Sequence, residues 1–249
     1  MPLADAAPSP VASLPVLEAR RLTREYGPVV AVRDVDVSLE GGEFLVIFGP
    51  NGAGKSSLLG MLGGAMRPTS GQVLIRGRPI SFSDGAWRRR VGILSHQGFL
   101  YARLTAEENL RFYGRLYGLD DLDDRIAQRL ARVGLTERAG VQTRHLSHGM
   151  RQRLSLARAL LHDPEVVLLD EPYTGLDPSA SGVLREVLAE LRDGERTVVM
   201  VTHNLREGLD SATRVAIQVA GRFAWQGSRG DVHDQSFERH YHAVVEGRA

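Results

Sequence analysis

Cysteine is absent from this sequence of 249 residues. Its absence excludes disulfide bonds, thiolate metal sites and a cysteine nucleophile, and it fits a cytosolic chain. Long apolar runs are lacking as well, since a membrane span needs about 20 consecutive apolar residues. The most apolar segments, 44–48, 166–169 and 198–201, are short and flanked by turn or polar residues. Such segments are typical of buried strands in a parallel sheet.

An excess of charge is also lacking, and so is a secretory signal. The net charge is +1, so composition gives no reason to expect nucleic acid as a partner. We interpret the basic run Arg88–Arg90 as a solvated face. At the N-terminus, Asp5 stands where a signal peptide needs a basic region, and the prolines that follow would interrupt an apolar helix. We expect residues 1–14 to be a disordered tail.

The spacing of apolar residues divides the chain into an α/β core and a helical insertion. Alternating runs between Leu17 and Leu39, around Gly27 and Pro28, predict an antiparallel hairpin. Further strands are predicted at Glu43–Phe48, Gln72–Ile75, Val91–Leu94, Val166–Leu169, Thr197–Val201, Arg214–Val219 and Arg222–Gln226. Helices are predicted at Lys55–Leu62, Glu108–Tyr117, Asp124–Val133, Met150–His162 and Ala180–Leu191.

A glycine-rich turn follows the predicted strand that ends at Phe48. Residues 49–56, GPNGAGKS, fit the P-loop (Walker A) pattern G-x-x-x-x-G-K-[ST] and lie between a strand and a helix, as the motif requires. Glycines let several N–H groups turn toward a phosphate, and the helix N-terminus adds partial positive charge. Lys55 provides a cation for the β- and γ-phosphates, and the Ser56 hydroxyl can bind Mg²⁺. This loop predicts a nucleotide site.

Two adjacent acids end the apolar strand at 166–169. Asp170 can hold Mg²⁺ through a water molecule, as in P-loop NTPases, and Glu171 can act as a general base on the attacking water. Acids are also common at solvated strand ends, so the pair alone carries little information. The P-loop in the same chain favours the catalytic interpretation.

Residues 146–153, LSHGMRQR, resemble the signature motif of the ATP-binding cassette (ABC) ATPases, whose common form is LSGGQ followed by a basic-Gln-Arg run. The segment also lies just before Asp170, as in that family. Two residues depart from the common form. His148 replaces a glycine at a position that varies in the family, and Met150 replaces the usual Gln or Glu, which puts polar contacts from that side chain in doubt.

Four more elements resemble those of ABC ATPases and occur in the family's order, from about Leu17 to Gly227. Tyr26 resembles the aromatic residue that stacks on adenine, and Gln97 the glutamine that joins two lobes and contacts Mg²⁺. Asp177, in the run Gly175-Leu176-Asp177, resembles the dimer-contacting loop, and His203 the histidine that contacts the γ-phosphate. Three of them also have an ordinary interpretation: Tyr26 as a core tyrosine, Gln97 as a loop glutamine and His203 as a structural histidine. Their order and spacing favour the functional one.

The resemblance implies a fold, a domain plan and a set of site residues. The fold is α/β, a P-loop NTPase core of mainly parallel sheet with an antiparallel β subdomain and an inserted helical subdomain at about 98–162. The ATPase domain would cover 15–230, and 231–249 would be a C-terminal tail. The implied ATP-binding residues are Tyr26, Gly49, Pro50, Asn51, Gly52, Ala53, Gly54, Lys55, Ser56 and Ser57. The implied metal ligands are Ser56, Gln97 and Asp170, and the implied catalytic residues are Glu171, His203 and Lys55.

The resemblance also implies a dimer in which two such domains hold two ATP molecules head to tail. Ser147, His148, Gly149 and Met150 would then face the nucleotide of the partner subunit. A homodimer is the simplest form, although a heterodimer of ATPase subunits remains open. We expect hydrolysis to depend on dimerisation, because each subunit alone has half of each site.

Among ABC machines, we favour the ATPase subunit of a transporter with a separate membrane-spanning subunit, located on the cytoplasmic inner face of the cell membrane. Too few residues lie between Lys55 and Ser147 for the long coiled coil of DNA-repair ATPases. A soluble ATPase acting on a non-membrane partner, as in iron–sulfur cluster assembly, is the alternative. The stretch Leu94–Gln97, followed by Leu104–Gly118, resembles the ATPase of the haem exporter of cytochrome c maturation, and drug and polysaccharide exporters share much of that pattern. The substrate and the direction of transport stay open.

Overall fold

The computed structural model describes residues 14–83, 85–95, 98–192 and 194–248. Gln97 and most of the predicted N-terminal tail therefore lie outside the described residues. The strands are β1 Leu17–Tyr26, β2 Val29–Leu39, β3 Phe44–Phe48, β4 Ser70–Ile75, β5 Arg78–Pro79, β6 Val91–Leu94, β7 Val166–Asp170, β8 Thr197–Val201, β9 Arg214–Val219 and β10 Arg222–Ser228. The α-helices are α1 Lys55–Leu62, α2 Ala106–Tyr117, α3 Leu122–Arg132, α4 His148–Leu160, α5 Pro178–Glu190, α6 Leu205–Ser211 and α7 Asp234–Val245.

Two sheets form the α/β part of the chain. The larger has the strand order β10-β9-β3-β8-β7-β6, in which all pairs are parallel except β9 with β10. The smaller, β2-β1-β4-β5, is antiparallel. Every residue of β3 and β8 is buried, which explains why these strands are continuous apolar runs. The predicted fold class, with its parallel core and antiparallel subdomain, is confirmed.

Apolar side chains form a separate cluster on each face of the larger sheet. Phe44, Val46 and Phe48 of β3 point to the face covered by α4 to α7. Leu45 and Ile47 point to the opposite face, where α1 and the antiparallel sheet pack. This alternation follows from the two-residue period of a strand. The larger sheet is thus the middle layer, and the carboxyl ends of its parallel strands lie at one edge.

A third apolar cluster belongs to the helical insertion. Its buried members come from α2, α3 and α4, with the segments that connect them, and include Leu110, Leu130 and Leu154. Helix α4 contributes to two clusters, since Leu154 packs within the insertion while Leu156 packs against the sheet. This helix therefore joins the insertion to the core. In the part of the chain that the structure describes, no helix is long and apolar enough to cross a membrane.

The C-terminal segment corrects one sequence prediction. Residues 231–249, predicted as a polar tail, contain helix α7. The Phe237 side chain is only 2% exposed, and its ring centroid lies 5.4 Å from that of Phe48 at the end of β3. Val244, seven residues further on, is also buried in the same core. The prediction was wrong because charged and histidine residues conceal this apolar stripe of helical spacing.

We expect Phe237→Ala to lower the free energy of unfolding by about 3–5 kcal/mol, because it leaves a cavity against Phe48. Urea denaturation of the full-length chain would measure the change. Leu116→Ala is the matched control, since the Leu116 side chain is 67% exposed on α2. This control should stay within about 0.5 kcal/mol of the wild type. An equally small effect of Phe237→Ala would contradict the docking of α7.

Candidate nucleotide site

The P-loop connects β3 to α1, and Lys55 is the first residue of that helix. The lysine is 7% exposed, and its Nζ donates hydrogen bonds to the carbonyl oxygens of Gly49 at 2.7 Å and Pro50 at 3.0 Å. Burial lowers the pKa of Lys55, while the negative charges of Glu171 and Asp170 act in the opposite direction. The ammonium group is therefore held within the loop, where a phosphate would meet it.

Close backbone packing explains two features of the loop. Gly54 has φ 95°, and a Cβ atom there would lie 1.9 Å from the carbonyl oxygen of Ala31 in β2, so only glycine fits. On the other side, the N–H of Gly221 donates to the carbonyl oxygen of Ala53 at 3.0 Å. Gly221 itself accepts from the N–H of Arg33 at 2.8 Å. The loop is thus fixed between β2 and the turn that joins β9 to β10.

Two oxygen ligands predicted for Mg²⁺ are adjacent in the structure. The Ser56 hydroxyl, in the first turn of α1, donates to Oδ1 of Asp170 at the end of β7, with 3.1 Å between the oxygens. Hydroxyl and carboxylate oxygens are the hard ligands that Mg²⁺ takes in nucleotide sites. These two groups fit such an ion, whereas Gln97, the third predicted ligand, lies outside the described residues.

Glu171 is held by the end of the neighbouring strand β8. Its N–H donates to the carbonyl oxygen of Val201 at 2.9 Å, and its backbone has φ 48°, a conformation that is uncommon for a residue other than glycine. Its Oε2 accepts hydrogen bonds from the Thr202 hydroxyl at 3.2 Å and the His203 N–H at 3.3 Å. Nδ1 of His203 lies 2.8 Å from the same oxygen.

These contacts add to the sequence prediction for this pair. The predicted role of His203 was a contact with the γ-phosphate, whereas here its ring lies beside Glu171 and orients the carboxylate. Thr202 was missed, although its position directly after β8 and before His203 was the available signal. A carboxylate held by three groups has few free rotamers, which suits a base that must receive a proton in one direction.

The signature residues lie at the N-terminus of α4. Ser147 is the N-cap, and its hydroxyl accepts from the N–H of Met150 at 3.2 Å. Nε2 of His148 lies 3.3 Å from the carbonyl oxygen of Thr174, in the loop between β7 and α5. Asp177 caps α5 by accepting from the N–H of Ala180 at 2.8 Å. The predicted signature and dimer-loop segments are therefore neighbours.

Gly149 and Met150 complete the predicted signature set. A Cβ atom at Gly149 would lie 3.2 Å from Cβ of Ala180 in α5, so this glycine lets the two helices approach. The Met150 side chain packs against the apolar cluster of the helical insertion. That packing accounts for an apolar residue where the common motif has a polar one.

Tyr26, the predicted adenine-stacking residue, lies at the end of β1 and is 43% exposed. Its hydroxyl is 3.0 Å from Sδ of Met66, and the guanidinium carbon of Arg24 lies 4.6 Å from its ring centroid. The Tyr26 ring is therefore a surface group held by Met66 and Arg24. Ser57, the last residue of the predicted ATP-binding set, lies in the first turn of α1.

Comparison with known proteins agrees with this arrangement. Residues 32–174 match the sequence model of the family described as ABC transporter. The chain belongs to this family. It is 36% identical over 234 residues to the Nod factor export ATP-binding protein I of Cupriavidus pinatubonensis, covering 91% of this chain and 72% of that protein. It is 34% identical to the ABC transporter ATP-binding protein NatA of Bacillus subtilis, covering 87% of this chain and 89% of that protein.

Solved structures include a similar cassette. The ATP-binding cassette MJ0796, in a dimeric post-hydrolysis state bound to ADP and Pi, superposes with a TM-score of 0.79 at 26% identity, covering 86% of this chain and 98% of that one. The chain is accordingly an ABC transporter ATP-binding subunit and an ATPase, and this part of the sequence interpretation is confirmed.

We expect Glu171→Gln to retain ATP binding and to lower turnover about 10²- to 10⁴-fold, because the amide keeps the shape of the base but cannot accept the proton. Phosphate release by the full-length ABC ATPase would measure turnover. Glu165→Gln, in the turn before β7, is the matched control, since Glu165 pairs with Arg76 and lies outside the site. Turnover of Glu171→Gln equal to that of the control would refute the assignment.

Proposed function

We propose that this ABC ATPase binds MgATP as a dimer at the cytoplasmic face of the membrane and drives export through a separate membrane-spanning subunit. The observation that carries the proposal is an exposed aromatic patch, formed by Phe99, Tyr101, Phe112 and Leu116, on the helical insertion. The export function of the Cupriavidus relative supports the direction of transport.

The residues of the nucleotide site suit this chemistry. Mg²⁺ held by Ser56 and Asp170 would neutralise charge on the phosphates. Lys55 contributes its own positive charge at the β- and γ-phosphates, and the P-loop N–H groups bind the same oxygens. Glu171 receives the proton of the attacking water, with His203 keeping the carboxylate in place.

The aromatic patch has the features of a contact surface. Its side chains are between 41% and 67% exposed, and the rings of Tyr101 and Phe112 meet edge to face with centroids 4.9 Å apart. Clustered exposed aromatics usually mark interfaces, where they act as rigid anchors. Leu100, between Phe99 and Tyr101, instead packs against the apolar cluster of the insertion. Leu100 is thus packed within the insertion, while its neighbours Phe99 and Tyr101 face solvent.

Asn109 holds the patch in shape from below. This residue is fully buried on α2, and its Oδ1 accepts from the N–H of Tyr101 at 2.8 Å while its Nδ2 donates to the Tyr101 carbonyl oxygen at 3.1 Å. A buried amide that bonds both backbone groups of one residue restricts that residue strongly. The exposed Tyr101 ring is thus presented from a fixed backbone, as binding without a large ordering cost requires.

Arg158 of α4 connects the patch to the core. Its guanidinium donates to the carbonyl oxygen of Ile93 in β6 at 2.5 Å, and it lies 5.4 Å from the ring centroid of Phe99 and 5.1 Å from that of Tyr113. The signature residues begin the same helix. A movement of α4 on nucleotide binding would therefore reach the patch through Arg158, which supports coupling between ATP and a docked subunit.

The transported substrate is chosen by the membrane subunit, so haem, drug and polysaccharide classes all remain compatible with the proposal. A soluble ATPase with a non-membrane partner, the alternative from the sequence, would use the same patch for a different protein. The two functions can be distinguished by whether the protein that co-purifies with this subunit is a membrane protein or a soluble one.

We expect Tyr101→Glu to abolish co-purification of a membrane-spanning subunit from detergent extracts, with the partner identified by mass spectrometry. Losing the contact of this ring with Phe112 should lower the free energy of unfolding by no more than about 1.5 kcal/mol, and basal ATPase activity should be unchanged. Leu14→Glu, also at an exposed apolar residue but outside the patch, is the control and should retain the partner. A soluble partner, or unchanged recovery of the membrane subunit, would argue against the proposal.

We expect Ser147→Arg to abolish ATP-driven dimerisation and hydrolysis while leaving the nucleotide affinity of the monomer almost intact. The reason is that the new side chain would obstruct the surface facing the partner's nucleotide, not the P-loop of its own subunit. Loss of the N-cap by itself costs about 1 kcal/mol. Ser147→Ala controls for that cost, because it removes the cap without adding bulk.

Size-exclusion chromatography with ATP, in the Glu171→Gln background, would measure dimerisation of both variants. Dimers of Ser147→Arg, or a large loss of affinity in its monomer, would show that the signature residues do not act across the interface.

A further inference from the structure

Gln218 is a buried amide beside the P-loop. It lies in β9 with no exposed surface, and neither Nε2 nor Oε1 has a hydrogen-bond partner among the described residues. Burying an amide without a partner is costly, so native proteins keep few such groups. An unpaired buried amide at a ligand site suggests that the site has another state, in which the amide is hydrogen-bonded.

The position of Gln218 follows from sheet register. Strand β9 runs parallel to β3, with Ile217 paired to Phe48, so the next residues, Gln218 and Gly49, are neighbours at the start of the P-loop. A Cβ atom at Gly49 would lie 2.2 Å from the carbonyl oxygen of Gln218. The backbone of Gln218 therefore packs directly against the first glycine of the loop.

The side chain of Gln218 reaches the other end of the same loop. A Cβ atom at Gly54 would lie 3.1 Å from Nε2 of Gln218. Along β9 the side chain shares a face with Ala216, which belongs to the apolar cluster that α1 covers. The same Cβ atom at Gly54 would lie 1.9 Å from the carbonyl oxygen of Ala31, so the Gln218 amide and this backbone carbonyl both approach the loop at Gly54.

We propose that Gln218 is a positioning residue of the P-loop, whose amide hydrogen-bonds to backbone groups of the loop when the diphosphate of a nucleotide is bound. The inference rests on the nucleotide site proposed above. By linkage, a group that is unpaired without ligand and paired with it lowers the stability of the free protein and increases its affinity for the ligand. The two effects have opposite signs, which makes the role testable.

The test replaces the amide while keeping its shape, with Gln218→Met in the full-length chain. Without nucleotide, we expect the melting temperature to rise by about 2–4 °C, because a costly buried amide is removed. The affinity for MgADP, measured by titration calorimetry, should fall about tenfold, because one hydrogen-bonding group of the bound state is lost. MgADP is used because it carries the diphosphate and is not hydrolysed.

Ile217→Met is the matched control. Ile217 is equally buried in the same strand but points to the opposite face of the sheet. It should change the melting temperature by about 2–4 °C and leave MgADP affinity unchanged. A structural role of Gln218 alone would likewise move the melting temperature and not the affinity.

An affinity of Gln218→Met within about twofold of the wild type would overturn the proposal, whatever happens to its stability. If that variant does not fold, the proposal can still be tested on the wild type. The NMR signals of the Gln218 side-chain amide would be followed in a ¹⁵N-labelled sample. Those signals should shift and exchange more slowly with MgADP, and unchanged signals would overturn the inference. Failure of the wild type to bind MgADP would instead remove the nucleotide site itself, and the inference with it.

Discussion

Parallel pairing of β3, β8 and β7 is the constraint on which the rest of the site depends. Parallel strands present their carboxyl ends at one edge, and the P-loop, the two acids at the end of β7 and the residues after β8 all lie there. The hydrogen bond from the Glu171 N–H to Val201 extends this pairing one residue beyond the strand. Without that register, Ser56 could not reach Asp170, and Thr202 could not reach Glu171.

A second constraint is the division of apolar side chains between the core and the helical insertion. The insertion has its own buried cluster, so it would keep its internal packing if it moved as a body. Helix α4 carries Leu154 into that cluster and Leu156 into the other, and it begins with the signature residues. A rotation of this helix would therefore displace residues at the nucleotide site, at the sheet and at the aromatic patch.

Much of this fold could be predicted because its strands are apolar runs and its turns are marked by glycine. Strands β6, β8 and β9 and helix α1 have the bounds that periodicity indicated. Helix α6 was missed because it has only seven residues, and α7 because polar residues dilute its apolar stripe. Contacts between residues distant in sequence could not be predicted in the same way. No local pattern signals that the His203 ring contacts the Glu171 carboxylate, or that Gln218 is buried beside Gly49.

The close approach of Gly54 to Ala31 has a consequence for the interpretation of variants at the P-loop. A side chain at Gly54 would collide with the backbone of β2 before it reached the space for a phosphate. Since β2 pairs with β1 along its length, the displacement would pass into the antiparallel sheet and to Tyr26 at the end of β1. Lost nucleotide binding in such a variant would thus report a shifted subdomain, and it would not measure the contribution of the glycine to phosphate contacts.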